Sequence, residues 1–170
     1  FSHRLTKEQA EEAIHLVEAA VNQSPYFKDS FFLRGRELNT LDKQFLMERH
    51  LISHEHATSK SEIAVCVSPD EVLALMLLEE DHLRIQIFQS GFNLWEAWRM
   101  VDATDTSLEK VLPFAFHATL GYVCACPTNV GTGLRASVMM HLHAAVLSKQ
   151  MDKVLQSLQR LNYTVRGLFG

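Results

Sequence analysis

Val72-Leu73-Ala74-Leu75-Met76-Leu77-Leu78-Glu79-Glu80-Asp81-His82-Leu83-Arg84-Ile85-Gln86-Ile87 is the stretch whose reading decides the fold. Its first seven residues form an apolar run of strand length, closed by three consecutive acids. An apolar run this short, bounded by polar residues, reads as a strand. Beyond the acids, Leu83, Ile85 and Ile87 alternate with Arg84, Gln86 and Phe88, the period of a half-buried strand. Upstream, Ile63-Ala64-Val65-Cys66-Val67 is a second fully apolar run, separated from the first by the turn signal Ser68-Pro69-Asp70-Glu71. Both connections are too short for a crossover, so the three strands pair antiparallel.

Outward from this meander the period becomes helical. Thr6-Lys7-Glu8-Gln9 is a capping box. Ala10, Ala13, Ile14, Val17 and Val21 follow at helical spacing, predicting a helix over 7–22 that ends at Ser24-Pro25. Phe31-Phe32-Leu33 reads as a short strand or a buried turn. Residues 40–49 repeat the helical pattern through Leu41, Phe45 and Leu46, and residues 54–61 read as a polar loop. A further helix opens at Asn93 or Leu94, with Leu94, Ala97, Trp98 and Val101 facing inward and Trp95 and Trp98 read as core residues. The remaining expectations are helix at 108–112, strands at 122–124 and 136–142, one helix over 144–161, and a last strand at 164–168. The class is α+β, a mainly antiparallel sheet flanked by helices.

The 170 residues suffice for one domain with a substantial core. A net charge of −4 without a Lys/Arg run argues against nucleic-acid binding, which rests on neutralising phosphates. No apolar run reaches the length of a membrane span, and no signal-peptide layout opens the chain. The 3 cysteines are an odd number, and Cys124 and Cys126 stand too close to make a normal disulfide framework, which points to a reducing, cytoplasmic compartment. Both ends read as cut: Phe1 is not an initiator Met, and the last residues run into a turn.

Two stretches carry chemistry. Glu79, Glu80 and Asp81 sit at the mouth of a strand, where like charges repel. Extended geometry would put Glu80, His82 and Arg84 on one face, and Arg84 inside an apolar strand needs a partner. The second stretch is Cys124-Ala125-Cys126-Pro127-Thr128-Asn129-Val130-Gly131-Thr132-Gly133-Leu134-Arg135-Ala136-Ser137. Its glycines allow close backbone approach, and successive N–H groups there can cradle an anion. Arg135 shares the face of the expected 136–142 strand with Ser137, Met139, His141 and His143, and Arg166 stands in the last expected strand. Three arginines embedded in strands, beside a glycine loop, suit a polyanion such as a nucleoside triphosphate. His141 and His143, with His82 or His54 and His56, sketch a metal site, but no Cys or acid at structural-zinc spacing joins them. Cys126 reads equally as a nucleophile with a His partner or as a small buried hydrophobe.

Glu79 to Gln86, Cys126 to Met139, and Val165 to Gly170 together resemble the ATP:guanido phosphotransferases, with the bacterial protein-arginine kinases as the branch most like this chain. His50-Leu51-Ile52-Ser53 fits that branch as well, and the likeness runs in order over nearly the whole sequence. The resemblance implies a catalytic domain over 1–170, truncated at both ends, in the antiparallel fold of that family. It implies ATP and Mg²⁺ as cofactors and protein arginine side chains as substrate, with no nucleic acid or membrane partner and with a homodimer as a candidate assembly. By the same resemblance Glu80 holds the guanidinium and takes its proton, while Glu79 and Asp81 orient Mg²⁺ through water. Arg84, Arg135 and Arg166, with Gly167, Leu168, Phe169 and Gly170 alongside, clamp the phosphates. His50 helps bind the nucleotide, and Ala136, Ser137, Val138 and Met139 lie along the adenine. Cys126, Thr128 and Asn129 sit beside the guanidinium, so the glycine loop lies where donor and acceptor meet.

The reaction needs such parts. A guanidinium of pKa above ~12 has no usable lone pair at neutral pH, so a carboxylate must align it and accept a proton as the N–P bond forms. Phosphoryl transfer otherwise needs in-line positioning and neutralisation of spread charge. Compared with the family pattern, Leu78 replaces a usual Asn and His143 a usual Pro. The family's second glutamate would follow Gly170, and its arginine-rich strand would precede Phe1. The chain as given is therefore expected to be inactive or impaired. An open site favours a protein side chain over a small substrate such as free arginine. A catalytically silent nucleotide-binding or scaffold domain is the rival reading.

Overall fold

In the computed structural model, residues 1–166 are described, in two compact units, 1–136 and 137–166. The first unit is built on a four-stranded antiparallel sheet, ordered β1-β2-β3-β4, of β1 (Phe31–Arg34), β2 (Ala64–Val67), β3 (Leu73–Leu77) and β4 (Leu83–Ile87). The meander read from the sequence is thus present strand for strand. Every residue of β2 and β3 is buried, whereas β4 is half-buried throughout. Central strands covered on both faces must be apolar at every position, and that is why the pattern was legible.

Helices cover both faces. Ala64, Cys66, Leu73, Leu75 and Leu77 share a core with Ala10, Ile14, Val17, Ala20 and Val21 of α1 (Lys7–Gln23) and with Leu108 of α4 (Leu94–Glu109). Val65, Val67, Ala74 and Met76 meet Leu46 of α2 (Thr40–Glu48) together with Leu51 and Ile52. The capping box of α1 is formed in full: Gln9 N donates to Thr6 Oγ1 at 3.3 Å, and Thr6 N to Gln9 Oε1 at 2.9 Å. In the β2–β3 turn Asp70 Oδ1 accepts from Ser68 Oγ at 2.5 Å and Val72 N at 3.2 Å, which holds its carboxyl below the usual range.

The expected 54–61 loop contains a short helix, α3 (His54–Thr58), started by Ser53, whose hydroxyl accepts from His56 N at 2.9 Å. His56 is 1% exposed. Its Nε2 lies 3.0 Å from Ala64 O and its Nδ1 has no partner, the arrangement of a neutral ring donating from Nε2. Burial pushes its pKa below the ordinary 6.5, against the backbone carbonyls that favour the charged ring. Because the folded pKa lies below the unfolded one, this contribution is complete above 6.5 and is lost as pH falls through it. Urea unfolding between pH 7.5 and 5 is expected to show this loss, and His56→Gln to flatten it; equal slopes in both proteins would assign the dependence elsewhere.

Other expectations are corrected. The helix expected at 108–112 is the end of α4, which runs unbroken to Glu109. The stripe of α4 that turns inward is Ala97, Val101, Thr104 and Leu108, so Trp95 is 71% and Trp98 39% exposed, and they stack on each other at 4.9 Å instead of filling the core. The strand expected at 122–124 is only β6 (Gly121–Tyr122), paired with β5 (Phe116–His117). Tyr122 also bridges Gly131, and a Cβ on Gly121 would fall 2.4 Å from Gly131 O, so only glycine fits there.

In the second unit, residues 137–142 form no regular element and the expected 136–142 strand is absent. Among the described residues no neighbouring strand pairs with this segment, and an apolar alternation without a ladder partner makes no strand. The single helix expected over 144–161 is two, α5 (His143–Leu147) and α6 (Met151–Arg160), broken where Lys149 takes a φ of 54°. Of the last expected strand, residues 164–166 are irregular, and Gly167 and Leu168 lie outside the described residues.

Candidate active site

The acids stand on the β3–β4 hairpin, closed by Leu78 N donating to His82 O at 3.0 Å. Leu78 takes a φ of 60° while its side chain, 7% exposed, joins the core under α1. A left-handed backbone costs an L-residue about 1–2 kcal/mol, and Asn tolerates it better than Leu. The departure from the family pattern at Leu78 is therefore a matter of backbone conformation and packing, and the side chain is turned inward rather than toward the acids.

With Leu78 anchored, Glu79, Glu80 and Asp81 form the tip of the turn. Ser2 Oγ lies 2.6 Å from Glu79 O and 2.8 Å from Glu80 O, fixing the backbone of the first two acids from a short 3-10 turn at Ser2–Arg4. Arg84, opposite Met76 in the ladder, has Nη1 3.6 Å from Glu79 Oε2. Glu79 is 12% exposed and Arg84 41%, and Oε2 has no hydrogen bond, so this ion pair is what balances the more buried carboxylate. The strand-embedded arginine has the partner its setting demands.

The glycine-rich loop meets the acids at two points. Ala125 N donates to Asp81 Oδ1 at 2.5 Å, and Asn129 Nδ2 donates to Glu80 Oε2 at 3.4 Å. Within the loop, Cys126 Sγ lies 2.9 Å from Thr128 Oγ1, and Asn129 N donates to Cys126 O at 3.0 Å, closing a turn over Pro127. Glu80 thus meets the segment of Cys126, Thr128 and Asn129, the last of them 49 residues away in sequence, at one place. Burial, then Asp81 and Glu80, then Cys126 push the Cys124 thiol up. Cys66 is pushed up to about 12 by burial, softened by Ser30, and is inert. Cys126 is partly exposed, which removes the reading of it as a buried hydrophobe.

His50 sits half-buried at the end of α2 with a φ of 60°. Arg135 and Ala136 are exposed and outside any strand, so the expected strand face carrying Arg135, Ser137, Met139, His141 and His143 is not formed. Ser137, Val138, Met139 and Arg166 belong to the second unit, and Gly167, Leu168, Phe169 and Gly170 lie outside the described residues. No group of three His, Cys, Asp or Glu able to hold a metal occurs among the described residues. Ser2 and the Ala125 N–H, which position the acids, were missed in the sequence. A serine 77 residues away and a backbone proton leave no motif to find.

Asp81 is the joint between the two loops. A carboxylate accepting a backbone N–H in a partly buried place contributes about 1.5–3 kcal/mol. Asp81→Ala should lower unfolding free energy by about 1–2 kcal/mol by urea titration and speed exchange of the Ala125 amide far more than amides of β3. Unchanged Ala125 exchange would mean that the bond does not hold the loop.

Residues 12–170 match the family profile of the ATP:guanido phosphotransferase C-terminal catalytic domain. Among curated relatives, the protein-arginine kinase of Symbiobacterium thermophilum is 44% identical over 173 residues, covering 100% of this chain and 49% of the relative. That of Moorella thermoacetica is 50% identical over 135 residues, covering 79% of this chain and 39% of the relative. The chain thus spans about half the length of the curated relatives it matches. Among solved structures, the duplicated taurocyamine kinase of Schistosoma mansoni with transition-state-analogue components superposes with a TM-score of 0.88 at 22% identity, over 100% of this chain and 25% of that one. A lombricine kinase gives 0.73 at 20% identity, over 94% and 48%. These two carry the fold, and the extended match to the family profile carries the relationship: the chain belongs to the ATP:guanido phosphotransferase family, in its catalytic domain.

Proposed function

We propose that this chain is the part of a protein-arginine kinase that receives the guanidinium and directs its phosphorylation by ATP. The observation that carries the reading is the Asn129–Glu80 hydrogen bond, which aims a carboxylate at the place bordered by Cys126 and Thr128. An arginine side chain entering there offers N–H donors to Glu80. The carboxylate aligns the attacking nitrogen and accepts its proton as the N–P bond forms. Asn129, holding one carboxylate oxygen, leaves the other for the substrate. Cys126 Sγ, with the Thr128 hydroxyl as hydrogen-bond partner, supplies a second acceptor for the guanidinium.

ATP's phosphates are assigned to Arg84, Arg135 and Arg166, and His50 with Ala136 to Met139 are assigned to the rest of the nucleotide. Glu79 and Asp81 would hold Mg²⁺ through water, Glu79 being turned to Arg84 and one oxygen of Asp81 being taken by Ala125 N. That suits an ion that keeps much of its hydration shell and takes its other ligands from phosphates. When bound, Mg²⁺ neutralises charge on the transferring phosphoryl group. No helix among the described residues is long and apolar enough to cross a membrane, and the reading places the reaction in the cytoplasm.

The test is incubation of a chain of the relatives' length with Mg-ATP and an arginine-rich protein, scoring acid-labile phosphate on the protein. Transfer to free arginine alone would make it a small-molecule kinase. ATP binding without transfer to either acceptor would make it a catalytically silent nucleotide-binding domain.

A further inference from the structure

The loop that borders the site carries a second thiol whose position the proposed transfer does not use. Cys124 and Cys126 are separated by one residue and both are partly exposed, unlike Cys66, which is fully buried. The chain has left β6 at Tyr122 before it reaches them, and it bends at Ala125 and Cys126, forming neither helix nor strand. In a straight strand, side chains two residues apart point the same way with Cα atoms near 7 Å apart, about the limit for a disulfide. A bend shortens that span toward the usual 4.4–6.8 Å. Cys126 Sγ, 2.9 Å from the Thr128 hydroxyl and at the border of the guanidinium place, is assigned as the sulfur that reacts first.

We propose that Cys124 and Cys126 form a reversible oxidation site, in which a peroxide oxidises Cys126 and Cys124 resolves the product into a local disulfide. The Cys126 thiolate attacks one oxygen of the peroxide. The O–O bond breaks, sulfur gives up two electrons, Cys126 becomes a sulfenic acid, and the second oxygen leaves as hydroxide or alkoxide. The Cys124 sulfur then attacks the Cys126 sulfur. An S–S bond forms, the S–O bond breaks, and the hydroxyl leaves as water with the Cys124 proton. A dithiol reductant reverses the sequence by thiol–disulfide exchange.

The bond would act on the site twice. It removes Cys126 Sγ from Thr128 and from the guanidinium place, and it closes a small ring around Ala125, whose N–H holds Asp81. Cys124 would also keep Cys126 from the irreversible sulfinic stage, because the sulfenic acid is captured as it forms. The functional consequence rests on the role proposed for Cys126; formation of the bond does not.

The experiment uses the whole chain, treated with hydrogen peroxide, alkylated with iodoacetamide and digested with trypsin. Lys110 and Arg135 bound a peptide, residues 111–135, that contains Cys124 and Cys126 and no other cysteine. The expected product is that peptide lighter by two hydrogens and without alkylation, with both alkylation sites restored by dithiothreitol. In Cys124→Ser the same treatment should give sulfinic or sulfonic acid at Cys126 that dithiothreitol does not reverse. Oxidation of Cys126 with Cys124 still alkylated in the wild-type chain, or disulfides only between chains, would overturn the proposal. These readouts need no kinase activity, so failure of the phosphorylation assay leaves them interpretable. If transfer is observed, peroxide should abolish it reversibly in wild type and irreversibly in Cys124→Ser, and equal recovery in both would also count against the site.

Discussion

Glu80→Gln, placed in a chain of the relatives' length, is expected to lower kcat for protein-arginine phosphorylation by about 10²–10⁴-fold with KM for Mg-ATP little changed. The amide keeps the size of the carboxylate and an oxygen able to accept from Asn129 Nδ2, so the two loops stay joined. What it loses is the negative charge that attracts the guanidinium and the basicity that takes its proton. Both losses are felt as the N–P bond forms, and neither touches the nucleotide, which places the effect in kcat. Unaltered exchange at the Ala125 amide would certify that the loop is undisturbed. A rate within about threefold of wild type would remove Glu80 from its assigned role.

Arg34→Ala is expected to cost about 2–3 kcal/mol of folding stability by urea titration. Arg34 ends β1, is 12% exposed, and places Nη1 2.6 Å from Glu11 Oε2 and Nη2 2.8 Å from Glu18 Oε2. His15 Nδ1, on the same face of α1, lies 3.3 Å from Nη2. One guanidinium therefore fastens the helix to the sheet edge through two carboxylates, 23% and 32% exposed. Removing it leaves these charges partly dehydrated with only Arg36, which reaches Glu11 Oε1 at 2.7 Å, to compensate. Their exposure keeps the figure below the cost of breaking a fully buried pair, about 3–5 kcal/mol. Arg34→Lys, with one ammonium in place of a fork, should lose about half as much. A loss under about 0.5 kcal/mol for Ala would mean that solvent screens the cluster.

Legibility in the sequence followed what each residue had to satisfy. β2 and β3 could be read because two packed faces demand an apolar residue at every position. α1 could be read because its cap is written in side chains. The same rules failed where an apolar pattern had no partner surface: residues 136–142 alternate correctly and make no strand. Trp95 and Trp98 were misread because size suggested burial, whereas the inward stripe of α4 uses Val101, Thr104 and Leu108. In the site, Glu79 to Asp81 and Cys126 to Asn129 were visible as motifs. Their junction was not, since it runs through a backbone proton of Ala125.

The β3–β4 register sets a limit on how this chain can change in length. Leu83, Ile85 and Ile87 face the α1 core while Arg84 and Gln86 face the other side, Gln86 Nε2 reaching toward Leu51 O at 3.5 Å. One residue added or deleted between Leu78 and Leu83 would slip the ladder by one position and exchange the two sets. Arg84 would enter the hydrocarbon beside Leu75 and Leu77 and lose Glu79. Single-residue insertions and deletions in this hairpin should therefore be purged far more strongly than substitutions at the same positions.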